Sequence, residues 1–215
     1  MSQEVISLLA EDYISSHTTL EDPLVFKVNE ETVKNHPHAH MISGHVQGRF
    51  LSFLTKMIQP KYVLEIGTFT GYSALCLCEG IIDGGELHTI EIRKEDADIA
   101  LKNFKDSPNN KFITLHVGNA KEIIPTLPHE WDLVFIDADK ISYIEYYELV
   151  ICRLSKKGLI IADNVLFHGQ VLEKPIKGKN AIAIDAFNKH INNDPRVEQV
   201  MLTIRDGLLL IKKKE

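Results

Sequence analysis

The sequence predicts an α/β fold built on a mostly parallel sheet, and three observations carry that reading. From Lys61 onward, short apolar runs alternate with helical patterns to the end of the chain, as a parallel sheet with right-handed crossovers requires. The runs Tyr62-Val63-Leu64-Glu65-Ile66, Trp131-Asp132-Leu133-Val134-Phe135-Ile136 and Leu159-Ile160-Ile161-Ala162 are nearly continuous in apolar residues, as strands covered on both faces are. The last two runs are separated only by residues 204–207, too few for a helical crossover, so the sheet closes in an antiparallel hairpin.

Taken in order, Val5, Ile6, Leu8, Leu9, Tyr13 and Ile14 recur at helical spacing and predict an opening amphipathic helix. Asp22-Pro23 supplies an N-cap and a first-turn proline for a second helix. Pro37 ends it, and residues 36–41 read as irregular. A third helix carries Val46, Phe50, Phe53, Leu54, Met57 and Ile58 on one side until Gln59-Pro60 stops it. Strands follow at 62–66, 87–92, 112–116, 133–136, 159–162, 197–203 and 208–212, with helices near 72–79, 94–105, 120–126, 143–154 and 181–191. The expectation is therefore a seven-stranded, Rossmann-like sheet with helices on both faces and a helical N-terminal extension. Residues 168–180, rich in Gly and Lys and containing Pro175, read as a mobile loop.

Composition narrows the function classes. A chain of 215 residues with 44% hydrophobic and 25% charged content suits one soluble domain. A net charge of −6, with both signs interspersed, argues against a nucleic-acid partner. The basic tail Lys212-Lys213-Lys214 reads as a solvated end. No apolar run reaches the roughly 18 residues of a membrane span, and Met1-Ser2-Gln3-Glu4 lacks the start of a secretory signal. Three cysteines, Cys76, Cys78 and Cys152, make a poor disulfide framework, so a reducing, cytoplasmic location is expected. Cys76 and Cys78 read as buried structural residues.

Where the runs stop is where the chemistry collects. Ligands of open α/β sheets bind outside the carboxyl ends of the strands. The first run ends in Gly67-Thr68-Phe69-Thr70-Gly71, a strand-to-helix turn of the nucleotide-cofactor kind. Phe69 stands where a dinucleotide fingerprint has its second glycine, which speaks against close approach of a pyrophosphate. Glu91, at the end of the second strand, can accept bonds from both hydroxyls of a ribose. A nucleoside without a diphosphate fits this pattern, and S-adenosylmethionine fits best.

Two further runs end in Asp137-Ala138-Asp139-Lys140 and Asp163-Asn164. Asp137, Asp163 and Asn164 offer three hard oxygen donors, which suit magnesium, with manganese or calcium as alternatives, and leave positions open for substrate oxygens. A substrate with two neighbouring hydroxyls could fill two of them and be acidified there. Lys140, three residues after Asp137, is the candidate general base, since a neighbouring dication and partial desolvation favour the neutral amine. Asp139 reads equally well as a helix cap. His36, His38 and His40 suggest a metal tract by spacing but read as a solvent-exposed segment. Tyr143, Tyr146 and Tyr147 read as residues that pack or face solvent rather than bind a ring, and Ser73 has no histidine placed as a partner.

These motifs resemble those of the cation-dependent O-methyltransferases of the caffeoyl-CoA and catechol type, in their microbial branch. Leu64 to Ser73 looks like the family's cofactor motif; Phe135 to Lys140 and Ala162 to Leu166 look like its metal motifs. The resemblance implies a single class I methyltransferase domain over 1–215, with helices in 1–60 bordering the site of a cofactor- and metal-binding core in 61–215. It implies methyl transfer from S-adenosylmethionine to one hydroxyl of a vicinal diphenol, with a small phenolic substrate and neither nucleic acid nor membrane as partner. A homodimer is among the assemblies compatible with it. By position it implies Asp137, Asp163 and Asn164 as metal ligands and Lys140 as base. On the cofactor it implies Glu65, Gly67, Thr68 and Ser73 of the turn, Glu91 on the ribose and the backbone of Ala120 at the adenine. Asp137 and Asp139 add contacts, and Met41 and Ile42 border the ligand. Three departures leave the acceptor open: Asp139 replaces the tryptophan of animal catechol enzymes, Asn119 a frequent aspartate, and Phe167 a common tryptophan. The rival readings are a nicotinamide-dependent oxidoreductase on a similar fold and a non-catalytic adenosine-ligand binder.

Overall fold

The structure, a computed structural model, describes residues 8–214. Three helices come first: α1 (Leu8–Ser16), α2 (Pro23–Asn35) and α3 (His45–Ile58). Asp22 caps α2 by accepting a hydrogen bond from the Leu24 N–H at 2.9 Å, and Pro23 occupies its first turn as the sequence predicts. The core then runs β1 (Tyr62–Ile66), α4 (Tyr72–Cys78), β2 (Glu86–Glu91), α5 (Lys94–Lys105), β3 (Ile113–Val117), α6 (Ala120–Ile123) and β4 (Trp131–Ile136). It continues with α7 (Tyr143–Ile151), β5 (Leu154–Asp163), α8 (Lys179–Asn192), β6 (Val197–Leu202) and β7 (Leu208–Lys213). Among the described residues the seven strands form one sheet in the order β3-β2-β1-β4-β5-β7-β6. All neighbours are parallel except β7, which runs antiparallel to both β5 and β6.

Alternate strand residues feed two cores. Leu64, Ile66, Val134, Ile136, Ile160 and Ala162 pack under Tyr143, Tyr147, Ile151, Ile184 and Phe187 of α7 and α8. Val63, Leu133, Phe135 and Ile161 pack on the other face against Leu51 of α3, α4 and Phe104 of α5. Both sheet faces are thus covered by helices, which is why the strands read as continuous apolar runs.

Several boundaries and faces differ from the expectation. β5 begins at Leu154 rather than at 159, because Leu154 pairs with Trp131 and the polar Ser155-Lys156-Lys157 segment lies in an irregularity of register before Leu159 meets Leu133. The expected helix at 143–154 therefore ends at Ile151. Lys212 and Lys213 are strand residues, not a solvated end, and Lys213 Nζ donates to the Leu154 carbonyl at 2.6 Å. Of the opening helix, Val5 and Ile6 lie outside the described residues, and Leu9 and Tyr13 are exposed.

The largest correction concerns α3. Its apolar stripe is buried only in part: Phe50, Leu54 and Ile58 pack against the core as expected, Phe53 and Met57 are 64% and 69% exposed, and the most buried face carries Gln47, Gly48, Leu51, Ser52 and Thr55. Small residues explain the shift of the buried face, since they allow close approach. A Cβ on Gly48 would fall 2.4 Å from the Tyr72 hydroxyl, and one on Gly80 would fall 2.1 Å from the Thr55 backbone. Cys76 and Cys78 are free and buried in α4, and burial pushes both thiols up, as structural cysteines require.

Candidate active site

The strand order reverses on either side of β1 and β4, so a crevice opens beyond their carboxyl ends. There the Asp137 N–H donates to the Ile66 carbonyl at 2.9 Å. Gly67 sits at φ 106°, where a Cβ would meet the Asp137 carbonyl oxygen at 1.9 Å. Only glycine fits that close approach. A cavity of about 1000 Å³ occupies the crevice, walled by Gly67, Thr68, Ser73, Glu91, Asp137, Asp139, Lys140 and Asn164, with Met41 and Ile42 at its border and Ala120 at its side.

Glu91 is 6% exposed. Its Oε2 accepts the Phe69 N–H at 2.7 Å and its Oε1 the Arg93 N–H at 2.9 Å. Each oxygen keeps a second lone pair, so the carboxylate is fixed in place yet can still accept from a ligand diol. Phe69 itself lies at φ 50°, and its N–H is committed to Glu91. Asn119 caps α6 by accepting the Lys121 N–H at 3.1 Å, which sets Gly118 and Ala120 on the cavity wall. Asp139 proves to be both a cap and a wall residue: it accepts the Ser142 N–H at 3.1 Å and the Tyr146 hydroxyl.

Glu65 does not reach the wall. It is fully buried beneath the turn, accepting from Thr89, with its Oε1 left unpartnered. Burial raises this carboxyl from its ordinary 4.5 to about 8, against the nearby Ser73 and Thr89 hydroxyls, which lower it. A folded-state value above the unfolded one means that stability is full below pH 4.5 and declines as pH rises toward 8. The slope is up to about 1.4 kcal/mol per pH unit. Glu65→Gln should flatten this decline, measured as urea unfolding at pH 5 and pH 8. An unchanged difference would mean that Glu65 is ionised in the fold.

The oxygen cluster follows from strand register. Ile136 pairs with Ala162, so Asp137 and Asp163 are the next residues on adjacent strands. Asp163 is 1% exposed; its Oδ2 accepts the Gln47 side-chain amide and its Oδ1 the Asn164 N–H, both at 2.6 Å. Asn164 adopts φ 56°, and its Nδ2 donates to Asp206 at 3.1 Å, which leaves its side-chain oxygen free of that bond. Burial, followed by the nearby Asp137 charge, raises Asp163 to about 7. Two crowded carboxylates and an amide oxygen at one rim are a donor set that a hard dication would relieve, so the residues fit such an ion. Lys140 Nζ donates to Asp137 Oδ1 at 2.8 Å and to the Tyr143 hydroxyl at 2.7 Å.

Sequence reasoning missed four of these residues. Gln47 lies on the unexpected face of α3, Tyr143 and Tyr146 read as side chains that pack or face solvent, and Asp206 lay in the hairpin turn. Tyr143 is buried and donates to the Asp163 carbonyl at 3.0 Å, so it props both Lys140 and the Asp163-Asn164 strand end. Spacing was the available signal, because Tyr143 and Tyr146 stand one helical turn or two beyond Asp139. The histidine tract does not converge. His36 is enclosed, 3.0 Å from Asp96 and edge-on to the Phe69 ring at 4.6 Å, whereas His38 and His40 are exposed as expected.

With this geometry established, relatives place the chain. The O-methyltransferase family profile matches residues 14–214. Caffeoyl-CoA O-methyltransferase of Petroselinum crispum is 31% identical over 208 residues, covering 89% of this chain and 85% of that protein. Caffeoyl-CoA O-methyltransferase 5 of Nicotiana tabacum is 30% identical over 205 residues, with the same coverage of 89% and 85%. Among solved structures, the SAH-bound methyltransferase PaMTH1 of Podospora anserina superposes with a TM-score of 0.90 at 27% identity, covering 100% of both chains. The O-methyltransferase of Bacillus cereus in complex with SAH gives 0.87 at 27% identity, over 96% of this chain and 97% of that one. The chain belongs to the O-methyltransferase family.

Proposed function

We propose that this O-methyltransferase moves a methyl group from S-adenosylmethionine to one hydroxyl of a vicinal diphenol, with a divalent cation bound at the same rim. The observation that carries the reading is that Glu91 and the Gly67 turn share one cavity with Asp137 and Asn164, with the Asp163 carboxylate buried beside them. The relatives named for caffeoyl-CoA and the neighbours bound to SAH support it. The chain works as one domain, with residues 1–60 bordering the site of the core in 61–215.

Each residue has a role in that reaction. Glu91 accepts the ribose hydroxyls, Ala120 contacts the adenine, and Met41 and Ile42 border the ligand. Gly67, Thr68 and Ser73 face its methionine end, and Glu65 supports Ser73 from beneath. Asp137, Asp163 and Asn164 would hold the cation, Mg²⁺ before Mn²⁺ or Ca²⁺, and Asp137 and Asp139 also flank the cofactor. When bound, a divalent cation supplies the charge that acidifies a neighbouring hydroxyl. Lys140, whose Nζ lies 2.8 Å from Asp137 Oδ1, receives the phenol proton. The phenol oxygen forms the new O–CH₃ bond as the S–CH₃ bond breaks, leaving S-adenosylhomocysteine. Holding oxygen and methyl in line supplies much of the rate.

The test is a methyl-transfer assay with S-adenosylmethionine and caffeoyl-CoA, and with its monohydroxy analogue 4-coumaroyl-CoA. Turnover of the diol with Mg²⁺, its loss in chelator and no turnover of the mono-ol are expected. Equal turnover in chelator would overturn the cation's part, and equal turnover of the mono-ol would overturn the diphenol.

A further inference from the structure

Away from the cavity, Glu86 and His88 begin β2, the strand that Glu91 ends. Glu86 is five residues from Glu91, so this end of the strand lies roughly 15 Å from the cavity rim. Across β1, His129 precedes β4 and stacks on Tyr62 with ring centroids 4.3 Å apart. Among the described residues, Glu86, His88 and His129 bring one ligand atom each within 4.8 Å of one another.

We propose that Glu86, His88 and His129 form a binding site for a borderline transition dication of the zinc type, separate from the hard-oxygen cluster at the cavity. Two imidazoles and one carboxylate are the donor set of three-ligand zinc sites, which keep a fourth position for water. The spacing fits. Bonds of about 2.0–2.1 Å in a tetrahedron put ligand atoms about 3.3 Å apart. Glu86 Oε2 lies 3.0 Å from His88 Nε2 and 3.4 Å from His129 Nε2.

The surroundings complete the site. His88 Nδ1 is 2.9 Å from His116 Nε2 on β3. A His88 tautomer protonated at Nδ1 donates to His116 and turns its Nε2 lone pair toward the ion, which is the outer bond that orients a ligating imidazole. The Glu86 side chain is 47% exposed, which gives the ion an entry path. An ion seated there would tie β2 to the loop before β4 across β1, adding a cross-link at the end of the sheet opposite the cavity.

The test uses the chelator-stripped chain and Co²⁺ alone as a spectroscopic probe, with Zn²⁺ as competitor. Tetrahedral Co²⁺ with nitrogen ligands absorbs strongly in the visible, whereas an octahedral oxygen site absorbs weakly. The expected result is a strong visible band that Zn²⁺ displaces, together with a Zn²⁺-dependent rise in Tm. Asp163→Asn should retain the band. His129→Gln should weaken binding by more than about 100-fold, and His116→Gln, which removes only the orienting group, by about 10- to 100-fold. Far-UV circular dichroism and SAH affinity serve as fold controls, and neither should change in His129→Gln. A missing band in the wild type, an undiminished band in a folded His129→Gln variant, or its loss in Asp163→Asn would each overturn the site. Simple ion pairing between Glu86 and protonated histidines gives the first of these results.

Discussion

Asp163→Asn is expected to reduce methyl transfer by about 1000-fold or more while SAH still binds. Asparagine keeps the volume and can still accept the Asn164 N–H that Asp163 accepts at 2.6 Å. It can also turn its amide toward Gln47 Oε1, which is buried without a partner. What it loses is one of two charged donors for the proposed cation. Charge stabilisation by a bound cation is worth several kcal/mol, and about 4 kcal/mol corresponds to the stated factor. Calorimetry with Mg²⁺ and SAH separates the two ligands: the first should bind weakly, the second normally. The metal-free variant also carries a stability signature. Asp163 is raised from 3.8 to about 7, so the wild type without metal loses stability as pH rises from 4 toward 7, and the asparagine variant should lack that part of the decline. Wild-type turnover in the variant would remove Asp163 from the ligand set.

Lys140→Met should lower kcat by about 100- to 10,000-fold at neutral pH, the range of a general-base contribution. Methionine keeps much of the length but accepts no proton. Because Lys140 Nζ sits 2.8 Å from Asp137 Oδ1, its removal also frees a carboxylate. Cation affinity should therefore rise or stay level rather than fall. Tyr143 loses one hydrogen-bonding neighbour but keeps its bond to the Asp163 carbonyl, so the rim should hold its shape. Raising the pH should recover part of the rate, since solvent then removes the phenol proton unaided. A normal kcat with a normal pH profile would leave the cation as the only activator.

The parts of the site that were legible are those that a strand end carries by itself. Gly67, Asp137 and Asp163-Asn164 each interrupt an apolar run, and parallel strands all deliver their carboxyl ends to one rim. Phe69 was legible as an obstacle to a pyrophosphate, and the structure adds that its N–H is bound by Glu91. Asp139 could not be divided between cap and wall because it is both. The histidine tract misled in part, since alternation along the chain does not say which ring is enclosed: His36 folds onto Phe69 and Asp96, and its neighbours do not.

Local chemistry is what the sequence determined alone: strand runs and their breaks, the N-cap of α2, the reversed hairpin and the residues at the rim. Those features depend on neighbours a few positions apart, where backbone sterics and side-chain period act directly. Packing decided the rest. Gln47 meets Asp163 across 116 positions of chain, and α3 centres its buried face on small residues that allow close approach, with only part of its apolar stripe packed beside them. His88 and His129 come together only because β1 lies between β2 and β4. Contacts of that kind are set by which surfaces can approach without a void or a clash, a property of the folded whole that no window of sequence contains.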